Sequence, residues 1–318
     1  MRYAVISDVH GNLPALDMVL EDAEKNGIDG CIFAGDYCLS NPYPDECIRR
    51  LRERKNSIIV QGNEEQYLER LAGQDQSRWL DGQMQISYYG YRALSADNLE
   101  FLLSQPRKLR TTVNGVALHI AHSSREYIDG YEYSEWAPLE IARKYAKNEI
   151  TKNSLRADIQ RYYDTNTGFR QHILRLEKGV YIFGHSHVQW SWFSEDGKTL
   201  FINPGSCGLP LDGINGTAPY TILDISDDGK ITVEEKRIPF DAEAYISVFE
   251  KSDQYLRANV WSKVIIRVLR TAREQIRCFL SFTEKYAQSI NDDRRPFAKD
   301  TWEAAYRLWI DNGGDAPQ

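Results

Sequence analysis

Short apolar runs and amphipathic stretches alternate through the first 62 residues. RYAVIS (2–7) reads as a buried strand, and LPALDMVLEDAEKNG (13–27) as an amphipathic helix closed by a glycine. GCIFAG (30–35) predicts a second strand, DECIRRLRER (45–54) a second helix and NSIIVQG (56–62) a third strand. This order, with short linkers, predicts a layered α/β unit. The apolar runs are nearly continuous, as expected where both faces of a sheet are covered. Helical sequence follows to about residue 104. The pattern then turns to hairpins: RKLRTTVNGVALHIAH (107–122), bending at Asn114-Gly115, and VQWSWFSEDGKTLFINPG (188–205), which follows KGVYIFGHSH (178–187). A last pair, PYTILDI and KITVEEKRI, is joined through Asp228-Gly229. Early βαβ units and late hairpins together predict two mixed sheets packed face to face between helices.

A charged, tyrosine-rich stretch at 132–165 is compatible with helix, and from about residue 241 the pattern is helical alone. Residues 261–286 read as one helix, with Lys263, Arg267, Arg270, Arg273 and Arg277 at intervals of three or four. The predicted organisation is a domain over 1–239, with a helical insertion at about 125–170, and a helical C-terminal extension over 240–318. The final GGDAPQ (313–318) reads as a frayed tail.

With 318 residues, 42% of them apolar, the chain can bury a sizeable core. It has no run of eighteen apolar residues that would suggest a membrane span, and its N-terminus lacks the pattern of a signal peptide. The five cysteines, at 31, 38, 47, 207 and 278, form no C-x-x-C pair; reduced thiols in a cytoplasm are the expectation. A net charge of −7 argues against wrapping nucleic acid over the whole surface.

Polar residues collect where the predicted strands end. The first strand is followed by Asp8, His10 and Asn12, the second by Asp36, the third by Asn63, and later strands by His122, His185 and His187. Singly, each has an ordinary reading: Asp-x-His as a strand end and turn, Asn63 as a helix cap with glutamates in the first turn. Together they form an oxygen and nitrogen donor set without thiolate, too large for one ion and suited to two. The imidazole content favours Mn²⁺, Fe²⁺ or Zn²⁺ over Mg²⁺ or Ca²⁺. Two such ions roughly 3.5–4 Å apart can clamp a phosphoryl group and activate water.

The ordered motifs DVHGN (8–12), GD (35–36), GNEE (62–65), AHSS (121–124), GHSH (184–187) and NPGSCG (203–208) resemble the calcineurin-like metallophosphoesterase superfamily. The flavour is that of the small bacterial phosphodiesterase-like branch, over roughly residues 1–235. The resemblance implies a four-layer α/β/β/α sandwich of two mixed β-sheets with a dinuclear site at the strand ends. It further implies that Asp8, His10 and His187 hold one divalent ion, that Asn63, His122 and His185 hold the other, and that Asp36 bridges both. A hydroxide between the ions would attack phosphorus, with Asp36, Asn63 and His122 as the catalytic group. Mn²⁺ is the foremost expected cofactor, with Fe, Ni and Zn as alternatives.

Many members of that superfamily carry Gly-Asn-His where this chain has Gly62-Asn63-Glu64. That histidine is thought to protonate the leaving group, and an ionised glutamate has no proton to donate. Glu64 is expected to cap its helix or to contact a ligand residue, and it could act as an acid only with a raised pKa. Good leaving groups suffer least, which points to phosphodiesters or phosphoanhydrides in a phosphorylated small molecule or nucleotide. A phosphomonoesterase or protein phosphatase-like hydrolase remains open. So does a non-catalytic metal- or nucleotide-binding protein whose basic C-terminal helix meets a nucleic acid or protein partner. Arg125 is a candidate for substrate phosphate, and Asn12 either contacts ligand or supports the loop after His10. His119 is expected to pack and His172 to lie at the surface. Tyr127, Tyr131, Tyr133, Trp136, Tyr145, Tyr162 and Tyr163 either wall the pocket or pack a helical flap.

Overall fold

Alternate residues of strand β1 (Arg2–Ile6) enter different cores. Tyr3 and Val5 face a core shared by two sheets, whereas Ala4 and Ile6 lie under helices. Both faces are therefore dry, which accounts for the continuous apolar run, and each buried valine or isoleucine contributes about 1.5–3 kcal/mol. The computed structural model describes residues 1–131 and 152–314. The remaining strands are β2 (Gly30–Phe33), β3 (Ile58–Ile59), β4 (Lys108–Val113), β5 (Val116–Ala121) and β6 (Gly179–Ile182), then β7 (Gln189–Phe193), β8 (Thr199–Pro204), β9 (Thr217–Ile225) and β10 (Ile231–Pro239).

They form two five-stranded sheets, ordered β10-β9-β1-β2-β3 and β4-β5-β6-β8-β7. Both are mixed: β1–β2–β3 and β5–β6–β8 are parallel, and the remaining pairs, β10–β9, β9–β1, β4–β5 and β8–β7, are antiparallel. Asn114 and Gly115, at φ 47° and 78°, make the tight turn of the β4–β5 hairpin. Val5, Ile32, Leu118, Ile120, Val180 and Ile202 meet between the sheets. The helices Leu13–Lys25 and Pro44–Glu53 cover the first sheet through Leu16, Val19, Ile48 and Leu51. Leu155, Ile159, Phe169 and Ile173, from the helices Lys152–Thr165 and Thr167–Arg175, cover the second. The result is the expected α/β/β/α sandwich with a C-terminal helical extension.

Two elements differ from the sequence reading. The third strand pairs only at Ile58 and Ile59, because the chain beyond it turns into the functional loop. The stretch 261–286 is not one helix. Ala272 takes a left-handed φ of 48° and divides it into Asn259–Thr271 and Ile276–Ser289. Its basic side chains consequently disperse. Lys263 lies over the Tyr306 ring at 5.8 Å, Arg267 over Trp309 at 5.3 Å, and Arg270 donates to Glu243 at 3.0 Å. The predicted basic stripe is therefore divided between two helices.

The extension packs closely on the rest of the chain. Trp261, Val264, Phe279 and Trp302 share one core with Ile86, Leu209 and Leu211, and the Trp261 indole donates to the Gln83 carbonyl. Of the predicted tail, residues 315–318 lie outside the described residues, as do Tyr133, Trp136 and Tyr145 of the insertion. Tyr127, Tyr131, Tyr162 and Tyr163 pack with Phe169 and Trp192 on the outer side of the second sheet.

Candidate metal centre

Five of the predicted ligands sit in a backbone conformation that side chains other than glycine disfavour. Asp8, His10, Asp36, His185 and His187 have φ values of 53°, 53°, 55°, 68° and 58°. Each left-handed residue costs roughly 1–2 kcal/mol, and such strain concentrates where function requires it. Hydrogen bonds between neighbouring strand ends hold it. The Asp8 N–H donates to Gly35 O at 3.0 Å and the His10 N–H to Asp36 O at 3.1 Å. The buried Glu65 carboxylate accepts from the N–H groups of Gly62, Asp36 and Tyr37 at 2.7, 3.0 and 2.9 Å. Two glycines leave room for the carboxylates. A Cβ on Gly62 would lie 2.1 Å from Asp36 Oδ1, and one on Gly184 would lie 2.3 Å from Asp8 Oδ2.

The folded chain brings the predicted ligands together. Asp8, His10 and His187 offer ligand atoms within 4.8 Å of one another, and so do Asp36, His122 and His185. His10, Asp36 and Glu64 form a third such group, which ties the first two together. His187 Nε2 is 3.3 Å from Asp8 Oδ1, and His122 Nε2 is 3.2 Å from Asp36 Oδ2. Asn63 begins the helix Asn63–Ala72 and lines the same cavity.

Outer partners orient the imidazoles. His122 Nδ1 lies 2.7 Å from Ala34 O, and His187 Nδ1 lies 2.7 Å from Leu209 O. A carbonyl accepts only, so each Nδ1 carries a hydrogen, and each Nε2 presents its lone pair to the centre once its own proton is displaced. His10 Nδ1 is 2.9 Å from Glu64 Oε1, and Leu39 N–H donates to Glu64 Oε2 at 2.9 Å. Glu64 thus supplies the carboxylate of a carboxylate–histidine pair. The contact behind a ligand residue expected of Glu64 is present.

Three features fit a pair of cations. His10 Nε2 and His187 Nε2 face each other at 3.0 Å, which needs a proton or a cation between two lone pairs. Asn63 Oδ1 is buried with no hydrogen-bond partner, and the buried His122 Nε2 faces the Asp36 and Asp8 carboxylates at 3.2 and 3.9 Å. The electrostatics agree. Burial alone would lower both histidines, but Glu64 raises His10 to about 9 and Asp36 raises His122 to about 10. His185 goes the other way: burial and the His122 charge lower it to about 4, leaving a neutral ring ready to ligate. Burial would raise Asp8, yet His187 and His122 hold it below the usual carboxylate range. The donor set is therefore one that gathers positive charge, and two divalent ions satisfy it.

The centre forms the floor of a cavity of about 740 Å³. Arg125, by contrast, is exposed on the short helix Arg125–Ile128 and does not line this cavity. Asn12 has both side-chain groups engaged, accepting from Ala15 N–H at 3.3 Å and donating to Gly208 O at 3.0 Å; it supports the loop. His119 stacks on Tyr181, with ring centroids 4.4 Å apart, and His172 Nε2 donates to Tyr127 O at 2.6 Å. Both are structural contacts away from the floor. Sequence reading missed the walls: Tyr67, Arg70 and Gln74 on one side, Trp261, Glu274 and Arg277 on the other. The spacing of Asn63, Tyr67 and Arg70 by four and three could have flagged most of the first group, as one face of the helix starting at Asn63. Nothing local marks the second.

Among the described residues no helix is long and apolar enough to cross a membrane. An uncharacterised protein of Methanocaldococcus jannaschii is 28% identical to this chain over 241 residues, covering 75% of this chain and 87% of that protein. The crystal structure of a metallophosphoesterase from Sphaerobacter thermophilus has a TM-score of 0.58 at 22% identity, covering 86% of this chain and 100% of that one. A hypothetical protein from Pyrococcus horikoshii has a TM-score of 0.57 at 16% identity, covering 86% of this chain and 99% of that one. Both structures share the fold. The sequence model of the calcineurin-like phosphoesterase superfamily domain matches residues 1–228, the segment that carries every predicted ligand. The chain therefore belongs to the calcineurin-like phosphoesterase superfamily and is a metal-dependent phosphoesterase.

Proposed function

We propose that this phosphoesterase hydrolyses phosphodiesters or phosphoanhydrides, at a site where Asp8, His10 and His187 hold one ion and Asn63, His122 and His185 the other. Asp36, which groups with His122 and His185 and also with His10 and Glu64, is assigned to both. When bound, the ions supply charge neutralisation at the phosphoryl oxygens and an activated water, most simply as Mn²⁺. The residues supply placement. The carbonyls of Ala34 and Leu209 fix the rings of His122 and His187, and Glu64 fixes that of His10. In a buried centre such preorganised groups act on developing charge at little reorganisation cost.

One observation carries the substrate class. Burial raises the Glu64 carboxyl above its usual range, but both its oxygens are engaged, with His10 and with the Leu39 N–H, and we therefore assign it to holding His10 rather than to serving a poor leaving group. Diesters of acidic alcohols and anhydrides need such help least. The decisive assay is hydrolysis of bis(p-nitrophenyl) phosphate against p-nitrophenyl phosphate with added Mn²⁺. The expected outcome is a diester preference of tenfold or more in kcat/KM, with Asp36→Asn losing at least about a hundredfold, in the range of a lost electrostatic contact. A monoester preference would sink the leaving-group argument, and no turnover with any divalent metal would sink the hydrolase assignment at these residues. The cysteines are all free and buried, which supports a cytoplasmic setting.

A further inference from the structure

Arg70 and Arg277 stand at the mouth of the cavity, exposed, and neither forms an ion pair with a carboxylate among the described residues. Several other surface arginines of this chain are paired. Arg50, Arg107, Arg170, Arg270 and Arg295 each lie on an aspartate or glutamate. The two come from distant segments, Arg70 from the helix Asn63–Ala72 and Arg277 from the first turn of Ile276–Ser289 in the extension. Tyr67 joins them to the centre. The Arg70 guanidinium lies 4.8 Å from the Tyr67 ring centroid, and the Tyr67 hydroxyl is within electrostatic reach of Arg70, Arg277, Asp36 and Glu64.

The backbone at Arg277 is held locally. Ala272, at φ 48°, ends the preceding helix, and Glu274 accepts the Arg277 N–H at 2.8 Å in the first turn of the next. The cavity lining includes the apolar Leu71, Met84, Trp261, Ile276 and Leu280 together with the polar Gln74, Gln83, Glu274 and Ser281. A cavity of about 740 Å³ takes a ligand of nucleotide size, whereas a small phosphate ester would leave most of it filled with water. One phosphoryl group at the floor leaves the two guanidinium groups without an anion.

We propose that Arg70 and Arg277 form a second anion subsite, which selects substrates with a phosphate or comparable anion on the arm remote from the scissile bond. This rests on the two-ion reading for where the scissile phosphorus lies. The substrate class is then a nucleotide-sized phosphate ester or anhydride that is anionic at both ends. Guanidinium groups suit phosphate because their planar N–H fork matches two of its oxygens.

The test uses the full-length Mn²⁺-loaded protein and calorimetry. The ligands are hydrolysis-resistant phosphonate analogues of thymidine 5′-monophosphate and thymidine 3′,5′-bisphosphate. The bis-anion is expected to bind at least tenfold more tightly, equivalent to about 1.4 kcal/mol. Arg70→Gln with Arg277→Gln should abolish that gap, and Arg70→Lys with Arg277→Lys should retain part of it. Equal affinities in the parent protein, or a gap that survives the double glutamine substitution, would overturn the subsite. The two readings fail separately. A gap without diester turnover on any metal removes the hydrolase assignment and leaves the subsite, and diester turnover without a gap does the reverse.

Discussion

Both carboxylate oxygens of Glu64 have partners before any substrate binds, and this contact governs the chemistry of His10. Outer partners of ligating imidazoles typically change metal affinity 10- to 100-fold. Glu64→Gln is expected to weaken Mn²⁺ binding about tenfold and Glu64→Ala closer to a hundredfold, read by calorimetry; unchanged affinity would mean the contact does nothing for the ion. Protons compete at the same atoms. In the metal-free centre His10 holds its proton up to about pH 9 and His122 up to about pH 10, raised against burial by Glu64 and by Asp36. A metal must displace those protons, so affinity rises with pH between 6 and 9, by roughly tenfold per unit for each proton released. Calorimetry in buffers of different ionisation enthalpy counts them directly.

At the scale of elements, strand ends and the glycines behind them set the ligand positions. Gly184 leads from β6 to His185, and a Cβ there would lie 1.9 Å from Ser7 Oγ as well as against Asp8. Gly184→Ala is expected to cost about 1–3 kcal/mol through overpacking and to lower bound metal, measured by thermal melting and by elemental analysis. A variant with full metal content and unchanged melting would show that the strand end yields more easily than its packing implies. The division at Ala272 matters for a different reason. One continuous helix would carry Arg277 on along the axis of Asn259–Thr271, whereas the break starts a new helix whose first turn walls the cavity.

At the scale of the whole molecule, the extension shares a core with Ile86, Leu209 and Leu211, and it contributes Trp261, Glu274 and Arg277 to the cavity. We propose that residues 240–318 act as an integral wall. A chain ending at 239 would uncover that apolar surface and is expected to melt at a clearly lower temperature than the full chain, or to aggregate, as followed by circular dichroism and light scattering. An equally stable, monomeric fragment would instead make the two parts independent domains.

The candidate ligand positions, the order of strands and helices and the Asn114-Gly115 turn were legible in the sequence, because each depends on local patterning. Burial on both faces writes a continuous apolar run, and a strand end leading into a functional loop writes Asp-x-His or Gly-Asn within a few residues. Tertiary structure alone decided the rest. The Glu64 partner His10 is 54 residues away, and the Asp8 carboxylate accepts the His185 N–H from 177 residues away. The second cavity wall comes from helices that give no sign of it in their own periodicity, since Trp261 and Ile276 are apolar residues like any in a core. Arg125 and Arg277 look alike as letters, and only packing put one on the outer surface and the other at the cavity mouth. Local sequence sets propensity and donor chemistry; which distant groups meet is set by the free energy of packing the whole chain.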